Sequence, residues 1–309
     1  MFRIGVIGVG PHARANHLPH LAAHPLVTLH ALCDTDPARL EKAGSEFGVT
    51  RRFTDHRELL ASGGLHAVYV LVSPAATAAV AADCLRAGVP TFIEKPPGSS
   101  LEEAENLAER AAETRTPHMV AFNRRFIPLV RRAKAILDEA GGVRHVCCEF
   151  LRYRRREEGF HWSTGIHGCD LLRFFGGDVA DVHVAASHWK GDANEARFVT
   201  ARFASGGIGR LHLLPEVGGN FERYTLHGRD ITLFVHTPLP WTLDRPAACL
   251  ARAGKLEELT LGREEWGTGF REETDYFVAC LQSGEQPGPD LAEAAKSMRF
   301  AMQAAGLVS

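Results

Sequence analysis

Phe2-Arg3-Ile4-Gly5-Val6-Ile7-Gly8-Val9-Gly10-Pro11-His12-Ala13 opens the chain. An apolar run of strand length leads straight into a Gly-x-Gly turn, and helix-forming sequence follows. Gly8 permits the tight turn, Gly10 lets the backbone approach a pyrophosphate, and Ala13 is small enough for close helix–strand packing. The N–H groups at the helix start would then face phosphate. Asp34 ends the next strand pattern, about twenty residues on, where a carboxylate holds ribose hydroxyls and repels a 2′-phosphate. Gly8, Gly10, Pro11, His12, Ala13 and Asp34 are therefore expected to bind a dinucleotide, NAD in preference to NADP. The alternative for Asp34 is a purely local role as N-cap of the helix beginning near Asp36.

Working outward, strand and helix patterns alternate through the first 122 residues. Strands are expected at 2–8, Val27–Asp34, His66–Val72, Thr91–Glu94 and His118–Phe122, with helices at about 14–23, 36–47, 55–61, 76–87 and 100–115. Gly48, Gly63 and Gly88 stand where helices stop. Such alternation predicts a doubly wound parallel sheet with right-handed crossovers. After Phe122 the pattern changes. One helix over Arg125–Ala140 precedes long strand-like runs at 143–152, 180–189, 197–204, 207–214, 221–227 and 230–235. A helix over Gly165–Phe175 interrupts them, and helices return at about 270–282 and 290–305. This is an α+β pattern with a mostly antiparallel open sheet. The expected division is a dinucleotide-binding domain over 1–122 and a substrate-binding and oligomerisation domain over 123–309, with packing of the C-terminal helices back on the first domain as an alternative.

Composition narrows the class. The chain has 309 residues, 45% hydrophobic and 23% charged, with a net charge of −2. That balance gives no bulk basicity for nucleic acid or an anionic membrane. There is no signal-like segment and no apolar run of spanning length. Seven scattered cysteines without a CxxC pair indicate neither a disulfide framework nor a zinc ribbon, and fit a reducing cytoplasm.

Three further constellations carry chemistry. Glu94-Lys95-Pro96 ends the short apolar run Thr91-Phe92-Ile93. A lysine at the carboxyl end of a parallel strand faces the crevice where such sheets bind ligands. Desolvation there favours the neutral amine, suited to take a proton from an alcohol as a hydride leaves the same carbon. Next, Gly165-Ile166-His167-Gly168-Cys169-Asp170 begins a helix whose first turns present His167 and Asp170 three residues apart. A histidine there can shuttle protons at neutral pH, although a satisfied helix-terminal histidine is the plainer reading. Finally, Arg124 and Arg125 either bind substrate or solvate a helix start. The run Arg152-Tyr153-Arg154-Arg155-Arg156 either fringes an anionic substrate or is a solvated strand end beside Glu157 and Glu158. His17, His20 and His24 share one face of the expected first helix, yet no carboxylate or thiol joins them, so packing and surface roles are expected and no metal.

Taken together these segments resemble the glucose–fructose oxidoreductase / inositol dehydrogenase / MocA (Gfo/Idh/MocA) family along nearly the whole length. Gly8-x-Gly10 with His17 is similar to its dinucleotide turn, and Cys33-Asp34-Thr35-Asp36-Pro37-Ala38-Arg39 to its second strand end. Ala87–Pro96 resembles its lysine segment, Phe122–Phe126 the start of its second domain, and Gly165–Leu172 its histidine helix. The resemblance implies NAD(P)-dependent oxidation or reduction of a sugar, sugar acid or cyclitol. It implies that Lys95 contacts the reacting hydroxyl, that His167 relays its proton, and that Asp170 helps position substrate. Arg124, Trp162 and Ser163 are further expected substrate contacts, and Arg39, Ser73, Pro74, Glu94 and Lys95 join the cofactor set. A homodimer or homotetramer is implied as well. Two departures stand out. Ser163 occupies the position four before the histidine where many members have aspartate, and Ala75 and Ala78 replace an asparagine and a histidine after Pro74. The resemblance also admits a glycoside hydrolase that uses NAD transiently, or a non-catalytic sensor; retention of Lys95 and His167 counts against the sensor.

Overall fold

The structure is a computed structural model that describes residues 1–239 and 245–308. The chain folds into two compact units, Met1–Phe122 with Phe270–Ala295, and Asn123–Gly269 with Lys296–Ser309. The 123–309 segment expected as one domain thus gives residues 270–295 to the first unit.

In the first unit, a Rossmann-type parallel sheet follows from the run of βα repeats. Its elements are β1 (Phe2–Ile7), α1 (Pro11–Asn16), α2 (Leu18–Ala23), β2 (Val27–Cys33), α3 (Pro37–Phe47), β3 (Arg52–Phe53), α4 (His56–Ala61), β4 (Ala67–Val70), α5 (Pro74–Arg86), β5 (Thr91–Glu94), α6 (Leu101–Thr114) and β6 (His118–Ala121). The order is β3-β2-β1-β4-β5-β6, every pair parallel. All residues of β4, β5 and β6 are buried, as expected for strands covered on both faces. The strand order reverses between β1 and β4, which opens a crevice at their carboxyl ends. Gly8 makes this junction possible. Its φ is +92°, and a Cβ there would lie 2.4 Å from the Leu71 carbonyl oxygen.

The first helix departs from the expected 14–23. It begins at Pro11 and breaks at His17, where α1 ends and α2 starts. Pro19 explains the break, because its ring and missing N–H cannot continue a helix through that position. His17, His20 and His24 therefore do not lie along one helix face. His17 turns fully inward, and His24 lies 3.6 Å from Asp275.

The second unit holds a short 3-10 turn (Asn123–Phe126), α7 (Pro128–Glu139), β7 (His145–Leu151), α8 (Phe160–Ser163), α9 (Ile166–Gly176), β8 (Val179–Ser187), β9 (Ala196–Phe203), β10 (Ile208–Leu214), β11 (Phe221–His227), β12 (Ile231–His236), β13 (Ala247–Arg252) and β14 (Lys255–Glu258). The eight strands run β14-β13-β12-β11-β7-β10-β9-β8, antiparallel except for the β7–β10 pair. Strands β7 and β11 alternate buried and half-exposed residues, the pattern of a sheet packed on one face. Gly168 lets α9 settle there, since a Cβ would sit 2.8 Å from Leu211. The chain ends in α10 (Phe270–Ser283) and α11 (Leu291–Ala304).

Candidate active site

A cavity of about 630 Å³ opens at the β1/β4 crevice of the first unit. Of the residues expected to hold a dinucleotide, Gly8, Gly10, Pro11, His12, Ala13, Asp34, Arg39 and Ser73 line it, whereas Pro74, Glu94 and Lys95 do not. A Cβ built on Gly10 meets no atom within 4 Å, so the turn faces open space that a bound group can fill. Asp34 is anchored before any ligand arrives. Its Oδ2 accepts from the Val9 N–H at 2.8 Å and its Oδ1 from the Asp36 N–H at 2.9 Å. A carboxylate has acceptor capacity beyond two bonds, so Asp34 can both brace the glycine turn and accept ribose hydroxyls. It is not the cap of α3; Asp36 is, accepting from the N–H groups of Ala38 and Arg39. The glycine turn, the open space before Gly10 and a positioned carboxylate fit NAD.

Thr35, Asp55, His56 and Arg57 also line the cavity and were not expected. The last three follow β3, a two-residue strand too short to read. His56 and Arg57 reach Asp83 at 2.9 and 3.1 Å, and Arg86 reaches it at 2.6 Å. Partial burial pushes Asp83 up, but bonds from His56 and Arg86 and the charge of Arg57 outweigh it and hold the carboxyl low.

Beside the glycine turn lies a second cluster. Glu94, the last residue of β5, accepts from His17 Nε2 at 3.2 Å and lies 3.7 Å from His12 Nε2. Asn16 Nδ2 contacts His12 Nδ1 at 3.1 Å. Burial alone would raise Glu94; His12 and His17 outweigh it and hold the carboxyl well below its usual range. A carboxylate thus does join the early histidines, contrary to the sequence reading, and one ligand atom from each of His12, His17 and Glu94 falls within 4.8 Å of the others. The spacing would admit a cation. The direct His17–Glu94 bond accounts for the arrangement without one. Lys95 follows at once, half-buried after four buried residues.

The second unit carries the histidine helix. His167 is 5% exposed, and its Nε2 lies 3.1 Å from Arg124 Nη1. Arg124, expected to bind substrate, is itself buried, with Nη1 also donating to Asn123 Oδ1 at 2.8 Å and Nη2 to Glu222 Oε1 at 3.2 Å. Arg152 donates to the same oxygen and stacks 3.7 Å over the Phe150 ring. Burial pushes Glu222 up, but Arg124 and Arg152 together outweigh it and keep the carboxyl low.

Asp170 requires a correction as a substrate contact. It is 0% exposed, and Arg125 grips it bidentately, Nε to Oδ2 at 2.8 Å and Nη2 to Oδ1 at 2.6 Å. Ser297 Oγ adds a bond to Oδ1 at 2.7 Å. A carboxylate so enclosed ties α9 to the 3-10 turn and to α11 and presents nothing to a ligand. The basic run also divides: Arg152 is internal, while Arg155 and Arg156 pair with Glu157 and Glu216. Trp162 and Ser163, both half-buried, sit on α8. Gly165 brings α8 against α9, since a Cβ there would lie 2.2 Å from the His161 carbonyl oxygen. Glu222 was missed altogether. The readable signal was its register, because β11 alternation puts it on the buried face with Tyr224 and Leu226.

Comparison with known proteins agrees with this architecture. The profile of an oxidoreductase family with an NAD-binding Rossmann fold (Gfo/Idh/MocA) matches residues 2–122, and that of the GFO/IDH/MocA C-terminal domain matches residues 130–234. A D-apiose dehydrogenase of Rhizobium rhizogenes is 29% identical over 163 residues, 48% of this chain and 47% of that protein, so the match spans about half the relative's length. The scyllo-inositol 2-dehydrogenase (NAD(+)) of Bacillus subtilis is 24% identical, covering 92% of this chain and 87% of its own. Among solved structures, an Agrobacterium radiobacter oxidoreductase in complex with NAD+, L-tartaric acid and magnesium superimposes with a TM-score of 0.84 at 19% identity, over 99% of this chain and 96% of that one. No described helix is long and apolar enough to cross a membrane. With both family domains matched in order along a chain of this architecture, the protein belongs to the Gfo/Idh/MocA oxidoreductase family.

Proposed function

We propose that this protein is an NAD-dependent oxidoreductase that moves a hydride between nicotinamide and a hydroxyl or carbonyl carbon of a sugar, sugar acid or cyclitol. The observation that carries the reading is the cavity at the strand-order reversal, with Asp34 fixed by the glycine turn it braces. Bound NAD supplies the hydride acceptor. The Gly8–Ala13 turn and Asp34 hold it, and the negative charge of Asp34 disfavours a 2′-phosphate. Lys95 takes the hydroxyl proton as the hydride departs, and His167 assists through a hydrogen bond to the reacting oxygen. Trp162 and Ser163 contact the substrate, which is small and polyhydroxylated like those for which the apiose and inositol dehydrogenases are named.

One face of the β7–β14 sheet supports self-association into a dimer or tetramer: Phe198 and Phe234 are 40% and 42% exposed there. Seven free cysteines fit a cytoplasmic location. The test is NADH formation followed by absorbance with a panel of aldoses, aldonic acids and cyclitols. Steady NADH production supports the dehydrogenase. Glycoside cleavage without net NADH would replace it with the hydrolase, and NAD+ binding with no turnover on any of the panel would favour a sensor.

A further inference from the structure

Arg124 and His167 meet in a contact that has only one chemical sense. A guanidinium has five N–H donors, no acceptor, and no accessible neutral form. Arg124 Nη1 lies 3.1 Å from His167 Nε2, with both side chains buried. The guanidinium must donate and Nε2 must accept. A nitrogen that accepts carries no proton, so the single proton of the neutral ring sits on Nδ1.

The guanidinium is not at liberty to turn away. Its Nη1 also donates to Asn123 Oδ1, and Asn123 Nδ2 donates to the Thr268 carbonyl at 2.9 Å. Its Nη2 donates to Glu222 Oε1, which Arg152 holds from another side. Two permanent cations already surround this one carboxylate. A second proton on the imidazole would add a third positive charge. It would also set an N–H against the guanidinium across 3.1 Å with no acceptor between them.

We propose that Arg124 is a positioning residue that fixes His167 as the neutral Nδ1–H tautomer, so that the ring acts toward a ligand as a hydrogen-bond donor through Nδ1. The tautomer assignment stands on this geometry alone. Its kinetic consequence rests on the reading that His167 takes part in the reaction. In that case His167 donates a hydrogen bond from Nδ1–H to the substrate oxygen and orients it, while Lys95 takes the proton released during oxidation.

The direct test is long-range ¹H–¹⁵N NMR of the full-length wild-type protein labelled with ¹⁵N-histidine at pH 7.5, with His167→Gln used to assign the signal. The expected spectrum has Nε2 in the unprotonated range and Nδ1 in the protonated range. A protonated Nε2 in wild type would overturn the proposal. Arg124→Met is expected to release the ring toward the Nε2–H form and lower kcat by roughly 10–10²-fold with little change in KM, less than the roughly 10²–10⁴ of losing an acid–base group outright. Arg124→Lys keeps a donor and is expected to restore the Nδ1–H signature and part of kcat. An Arg124→Met protein that keeps a pure Nδ1–H signal would equally overturn the assignment. If Arg124→Met does not fold, the wild-type spectrum decides alone. A wild-type Nδ1–H signal together with full turnover of His167→Gln would leave the tautomer standing and remove His167 from the chemistry.

Discussion

Glu94 in the first unit and Glu222 in the second are both buried carboxylates between two basic side chains, yet the two clusters answer to different chemistry. Glu94 lies between imidazoles, one fully buried (His17) and one half-exposed at the cavity wall (His12). An imidazole, unlike a guanidinium, has a neutral form that still donates one hydrogen bond. Glu222 lies between guanidiniums that are 5% and 1% exposed and never release their charge. That cluster is a fixed frame around His167. The two clusters differ in kind: imidazoles next to the cofactor turn, and permanently charged guanidiniums behind the histidine.

The largest expected effect follows from that invariance. Glu222→Ala leaves Arg124 and Arg152 buried without a counter-charge, and should cost about 3–5 kcal/mol in urea unfolding. A cost below about 1 kcal/mol would mean that the frame is not electrostatic. Next comes Asp34→Ala. Losing a charge-assisted hydrogen bond, about 1.5–3 kcal/mol, should weaken NAD+ binding by roughly 10–100-fold in calorimetric titration and narrow the preference over NADP+. Unchanged NAD+ affinity would show that Asp34 serves only the turn.

Glu94→Gln should cost less than Glu222→Ala, about 1–2 kcal/mol, because the isosteric amide keeps an acceptor for its imidazole partners and strands no guanidinium. Equal costs for the two variants would erase the contrast. The pH dependence sharpens it further. Both carboxyls are held below the ordinary glutamate value of 4.5 in the folded state. Each therefore contributes stability that is present above that value and is lost as pH falls through the depressed folded value. Thermal unfolding between pH 6 and pH 3 should show the midpoint falling below about pH 4.5, with a shallower fall in Glu94→Gln. An identical slope in that variant would refute the depressed ionisation of Glu94.

How much of this is legible in the sequence depends on sequence distance. The parallel sheet is readable because each βα repeat is local, and three of its helices stop at or just before a glycine, Gly48, Gly63 and Gly88. The break at His17 is signalled by Pro19, which the apolar pattern of the helix obscures. Strands β13 and β14 leave no alternation to find, since β13 is built mostly of small residues and all four residues of β14 are exposed. The glycine turn and Asp34 are readable because their spacing is fixed by one βαβ unit. Glu94 and His17 stand 77 residues apart, and Arg124 and Glu222 stand 98 apart, so local pattern can mark Glu222 as inward-facing but cannot pair either carboxylate with its partners. Asp170 shares a helix side with His167 and owes its expected substrate role to the family resemblance, but its partners, Arg125 and Ser297, come from other elements.

The central claim is that Lys95 performs the proton transfer while the Gly8–Ala13 turn and Asp34 hold the dinucleotide. The most direct measurement pairs calorimetric NAD+ binding with NADH formation for wild type and Lys95→Met, on a substrate that wild type turns over. The account predicts an NAD+ Kd within about twofold of wild type and a loss of turnover on the order of 10²–10⁴. Near-normal turnover by Lys95→Met would contradict it.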